Sequence, residues 1–147
     1  MMKSIQPVSP MPEMIRAFDH IGIRVSDRQQ ATAFYARLGF VETAYFAAYE
    51  ANEMVAGDGI RINLIFNAAK QPQSRNALLD MPIKYPGVTH LAFVVDDLYR
   101  LRDWLLEEGI TITEDVHPIG SRRVALFFRD PDGNVLEFNQ LTQAISN

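Results

Sequence analysis

Between residues 18 and 40 the apolar positions first alternate and then recur every three or four residues. In "FDHIGIRVSD", Ile21, Ile23 and Val25 share one face of a predicted strand. Ala31, Phe34, Tyr35 and Leu38 then keep helical spacing. Asp27 stands where a helix N-cap belongs, because a carboxylate accepts the free N–H groups of a first turn. Gly39 stands where a helix ends in a left-handed residue. The same succession returns in residues 88–110, "VTHLAFVVDDLYRLRDWLLEEGI", which align to 18–40 without a gap. His20 falls on His90, Asp27 on Asp97 and Gly39 on Gly109.

Each strand–helix opening is followed by strands. "FVETAYFAAYE", "NEMVA" and "IRINLIFN" follow Gly39, with a turn at "GDG"; "ITITED", "RRVALFFRD" and "NVLEFNQ" follow Gly109, with a turn at "PDG". Aligning Asp58-Gly59 with Asp132-Gly133 also aligns Asn63 with Glu137. The predicted fold is α+β: two βαβββ modules, residues 15–67 and 88–141, form a single domain. A proline-bearing connector, residues 68–87, joins them, and a mobile N-terminal tail, residues 1–14, precedes them.

Composition narrows the chemistry. The 147 residues include no cysteine, which excludes disulfides, thiolate ligands and a cysteine nucleophile. A net charge of −4 argues against nucleic-acid binding, and no apolar run approaches the ~20 residues that span a bilayer. With three prolines and no apolar block in "MMKSIQPVSPMPEM", a cytoplasmic protein is expected. There is no nucleophile elbow, P-loop or dinucleotide fingerprint.

The candidate site follows from the repeat. Two of only three histidines, His20 and His90, occupy one repeat position, and Glu137 lies on the last strand where the repeat pairs it with Asn63. Alternation places Val135, Glu137 and Asn139 on one strand face. If the modules pack about a pseudo-twofold axis, two imidazoles and a carboxylate converge, a donor set suited to Fe(II) and compatible with Mn, Co, Ni or Zn. Arg122 and Arg123 in "GSRRVALFF" are candidate anion donors, and at least one of them is expected to be a solvated strand-end charge. His117, in "DVHPIG" before a proline, reads as a loop residue; with Glu50 and Glu53 it completes the candidate outside bases.

The paired modules, "DHIGIRVSD", "THLAFVVDD" and "RDPDGNVLEF" resemble the vicinal oxygen chelate superfamily over residues 15–141. That group includes glyoxalase I, extradiol dioxygenases, fosfomycin-resistance transferases and bleomycin-binding proteins. The resemblance implies a divalent metal in a cup of curved mixed sheet, held by His20, His90 and Glu137; Asn63 maps to a fourth ligand position and is either a ligand or a wall residue that hydrogen-bonds the substrate. It also implies a homodimer and a small-molecule substrate with vicinal oxygens. Glyoxalase I usually has a glutamate at the position of Asn63, and ring-cleaving dioxygenases a tyrosine at that of Phe127. The leading expectation is a glyoxalase-like lyase or isomerase working through an enediolate, with Glu137 or a nearby carboxylate moving the proton. The alternatives are an Fe(II) ring-cleaving dioxygenase and a ligand-sequestering protein without catalysis.

Overall fold

The computed structural model describes residues 9–142. Residues 1–8 of the tail lie outside the described residues; residues 9–20 are exposed and almost without regular structure. The first module contains β1 (Ile21–Arg24), α1 (Arg28–Arg37), β2 (Val41–Phe46), β3 (Ala51–Ala56) and β4 (Ile60–Ile65). The second contains β5 (His90–Val94), α2 (Leu98–Glu107), β6 (Ile112–Ile119), β7 (Arg123–Arg129) and β8 (Val135–Leu141). The α+β reading and the doubled topology hold. The sheets run β1-β4-β3-β2 and β5-β8-β7-β6, each with one parallel pair at the first strand and antiparallel pairs beyond it.

The helix ends follow their local chemistry. The Asp27 carboxylate accepts from Gln30 N–H and the Asp97 carboxylate from Arg100 N–H. Gly39 and Gly109 close the helices at φ 100° and 71°, a region that glycine enters without steric cost. One sheet face from each module packs with the helices into a common core. Ile23, Val25, Met54, Ile62 and Leu64 meet Leu98, Leu105, Leu126, Phe128, Leu136 and Phe138 there. Phe34 and Tyr35 lie in the same core, Tyr35 without solvent exposure.

Two local readings change. The apolar run after Gly39 does not continue as one strand: Ala47–Tyr49 forms a 3-10 turn and Glu50 is left-handed, so the chain reverses into β3. His117 and Pro118 lie in β6 instead of a loop. A proline is admissible there because β6 is the outer strand of its sheet and one side of its backbone has no ladder to donate to.

The turn "DPDGN", residues 130–134, fastens the modules together. The buried Asp130 carboxylate accepts from the Tyr35 hydroxyl at 2.7 Å, from the Asn134 side chain, and from the backbone N–H groups of Asp132 and Asn134. Burial raises its carboxyl above the ordinary value, and burial beside Asp130 holds the Tyr35 phenol well up. Asp132 accepts from Ser26 N–H at 2.9 Å and from the Ser26 hydroxyl. The connector grips the same turn, Asn76 donating to Gly133 O at 3.0 Å and Ser74 to Pro131 O. A Cβ on Gly133 would stand 2.1 Å from Ser74 O, so the close approach requires glycine.

Replacing Tyr35 by phenylalanine leaves a buried carboxylate one donor short, and unfolding in urea should show a loss of about 1–3 kcal/mol. The connector should also be acid-sensitive. Arg129 holds Asp80 at about 2, below its ordinary 3.8, chiefly by a hydrogen bond. A depressed carboxyl contributes stability above its unfolded value and loses it as pH falls through the folded value. Hydrogen exchange of residues 72–80 should therefore accelerate as pH falls from about 4 towards 2, after correction for intrinsic rates, and D80N should show that faster exchange already at neutral pH.

Candidate functional site

The register carries the site. Gly22 pairs with Asn63 and Ala92 with Glu137, so the repeat symmetry read from the turns is the symmetry of the ladders. In the second module the imidazole of His90 leans over β8, with Nε2 at 3.3 Å from Oε1 of Glu137, a side chain that is 4% exposed. Asn139, two residues on and also buried, donates from Nδ2 to the other Glu137 oxygen at 2.7 Å. The Phe127 ring meets His90 edge-on at 5.8 Å and stacks on His117 at 6.1 Å. Arg123 Nε lies 4.0 Å from Glu137 Oε2, is buried and has no hydrogen-bond partner.

In the first module His20 borders a shallow cavity of about 420 Å³ with Gly22, Phe46, Tyr49, Ala51, Asn63 and Ile65. Asn63 Oδ1 is buried there without a partner. The structure thus brings His90, Glu137 and Arg123 together, and His20 and Asn63 together elsewhere. Among the described residues no three His, Asp or Glu side chains form a metal-binding group within this chain. Arg122 sits in the exposed turn before β7, where its carbonyl accepts from Thr142 N–H.

Both histidines are oriented by the residue before them. Asp19 lies 2.6 Å from His20 Nδ1, and the Thr89 hydroxyl 2.8 Å from His90 Nδ1. An ionised carboxylate only accepts, so the proton of that bond is carried by His20 Nδ1. The bond to His20 is the main reason that the Asp19 carboxyl falls below its ordinary value. The donor set fits a divalent cation: imidazoles held at Nδ1, a buried carboxylate, and an amide oxygen with nothing to accept from. The fit is divided between two half-cups.

Sequence reasoning passed over Asn139 as a site residue and misplaced His117. For Asn139 the signal was available, since strand alternation puts it on the Glu137 face. For His117 the following proline concealed the strand.

The half-cups have the same plan and different walls. Aligning the two turns puts Tyr49 on Arg123, Ala51 on Ala125 and Ile65 on Asn139. Phe46 pairs with Ala51 as His117 pairs with Ala125. The first module therefore offers Phe46, Tyr49 and Ile65 where the second offers His117, Arg123 and Asn139.

Comparison with known proteins agrees with this architecture. The chain is 29% identical over 146 residues to the metallothiol transferase FosB of Shouchella clausii (strain KSM-K16), covering 89% of this chain and 84% of that one. A glyoxalase/dioxygenase from Nostoc punctiforme superposes with a TM-score of 0.70 at 22% identity, over 95% of this chain and all of that one. A glyoxalase family protein from Bacillus cereus gives 0.64 at 16% identity, over 89% and 97%. The family model matches residues 17–138, and the chain belongs to the Glyoxalase/Bleomycin resistance protein/Dioxygenase superfamily.

Proposed function

We propose that this protein is a divalent-metal-dependent, glyoxalase-like lyase or isomerase acting on a small anionic substrate with vicinal oxygens. The observation that carries the reading is the 3.3 Å approach of His90 Nε2 to the buried Glu137 carboxylate, beside an arginine nitrogen that lacks a partner. His90 and Glu137 of one copy would share an ion with His20 of a second copy, and Asn63 would be the fourth donor through its unpaired Oδ1. Separation of the half-cups within one chain supports the homodimer, as do the apolar Phe46 and Tyr49 left exposed beside His20.

Two neutral imidazoles and one carboxylate leave a divalent ion with a formal excess of +1, which favours an anionic ligand. When bound, the ion supplies Lewis-acid stabilisation of charge developing on a substrate oxygen. Arg123 orients the anionic end, Asn139 holds the Glu137 carboxylate in one orientation, and the Phe127 ring packs edge-on against His90. Glu137 would take a proton from the carbon beside a carbonyl and return it to the neighbouring carbon.

A second reading, transfer of a thiol to an electrophilic anion, is favoured by the similarity to FosB and by the same free donor on Arg123. Ring cleavage is less well supported, because Phe127 places a ring without a hydroxyl against His90.

Metal analysis of the purified protein, with light scattering for the dimer, tests the proposal. Near-stoichiometric divalent metal is expected, lost in both H20A and H90A. Refolding these two variants together should restore roughly a quarter of the sites, since half the dimers are mixed and each carries one intact shared site. No metal after incubation with Mn(II), Ni(II), Fe(II), Co(II) and Zn(II) overturns the metal-enzyme reading. Metal retained by a monomer overturns the shared site.

A further inference from the structure

A cavity of about 620 Å³ lies between the first strands of the two modules, bordered by the connector and the 130–134 turn. Its size falls within the range of small-molecule pockets, about 300–1000 Å³. Ile21–Arg24 of β1 and Val88–Leu91 at the start of β5 line it as consecutive residues, so strand edges bound it and not one sheet face. β1 and β5 are outer strands of their sheets. Val25 N–H donates to Ile65 O and Val95 N–H to Asn139 O, both away from the outer edge. Alternation then turns the backbone groups of Gly22, Arg24 and His90 to the open edges. One of these groups, Arg24 O, accepts from the Asn134 side chain.

The lining is short of negative charge. Arg24 and Arg75 border the cavity, and neither forms a salt bridge among the described residues. Arg75 Nη1 lies 3.6 Å from the Met81 sulfur, a weak acceptor. Asp132, the carboxylate of the lining, has both oxygens taken by Ser26. Ile21, Leu78, Val88 and Leu91 supply apolar wall. The connector beside Arg75 is held under strain. Gln73 and Ser74 are left-handed at φ 58° and 52°, a conformation that non-glycine residues keep only where their surroundings fix it. The Ser74 hydroxyl on Pro131 O and the Asn76 amide on Gly133 O do that fixing. The backbone that carries Arg75 is thus placed before a ligand arrives, which lowers the ordering cost of binding. We infer that this cavity binds an organic oxyanion with an apolar body, a carboxylate or a phosphate monoester, through Arg24, Arg75 and the open-edge N–H groups. The site is separate from the His20 half-cup and does not depend on the metal reading.

The test measures calorimetric binding of hexanoate, hexyl phosphate, hexanamide and acetate to the full-length protein, as purified and after exhaustive chelation. Hexanoate or hexyl phosphate should bind about tenfold tighter than uncharged hexanamide, and hexanoate tighter than acetate, which lacks the apolar body. The tighter of the two anions identifies the natural headgroup. R24M/R75M should remove about tenfold from the anions and leave hexanamide unchanged. R24M alone, which leaves the connector untouched, decides the matter if the double variant fails to fold. Hydrogen exchange of residues 68–78 should slow when the anion binds, which places it at the connector. Anions bound no tighter than hexanamide, an unchanged ratio in the arginine variants, or unchanged exchange at 68–78 overturns the inference. Loss of binding on chelation also overturns it, because the anion then sits on the ion. Should the protein hold no metal at all, the metal reading fails while unchanged anion binding upholds this site.

Discussion

Everything in the molecule is referred to one short turn. The hydrogen bond from the Tyr35 hydroxyl to Asp130 joins a helix of the first module to the bend that launches the last strand of the second. A carboxylate buried that deeply is tolerated only when its oxygens are occupied, and here four donors converge on it. Satisfying Asp130 fixes the turn, the turn sets the entry of β8 against β5, and that register places Glu137 under His90. The side chain that helps most to unite the modules thus lies seven residues before the one that defines the site.

The repeat explains a division that neither module shows alone. Helix caps, closing glycines and ladder registers are nearly the same in both copies, because they are demanded by backbone geometry that each module must solve for itself. The cup-facing positions carry no such demand. They have diverged into an apolar wall of Phe46, Tyr49 and Ile65 and a polar wall of His117, Arg123 and Asn139. Packing on the helix side holds the fold constant while the opposite face changes chemistry.

That division also marks what was legible in the sequence. Alternation, the Asp N-caps and the left-handed glycines made the doubled βαβββ plan readable, and the paired turns gave the Asn63–Glu137 correspondence. Packing between modules was not readable, because the joining contacts of Tyr35 and Ser26 with the turn span about a hundred positions of chain and have no local period. His117 was hidden for another reason. Proline lowers strand expectation in any window, and only the place of β6 at the sheet edge makes it harmless. The separation of His20 from His90 and Glu137 within one chain was invisible for the same cause as the packing: a repeat states which positions are equivalent, not which copies face each other.

An amide at position 63 changes the electrostatics of the cup as a whole. A carboxylate there would cancel the remaining charge of a divalent ion and leave Arg123 as the principal attraction for an anion. With Asn63 a divalent ion held as proposed would keep its excess, and Arg123, 4.0 Å from Glu137, would add a second positive group. Two cations so placed would repel each other unless an anion lay between them, so the proposed site would favour an anionic ligand. Asn139 would fit this arrangement because it is neutral: it holds Glu137 by a donated hydrogen bond without cancelling a field that would draw an anion in. On that reading the amide at position 63 and the unpaired donor on Arg123 would describe one property, a cup short of negative charge without its ligand.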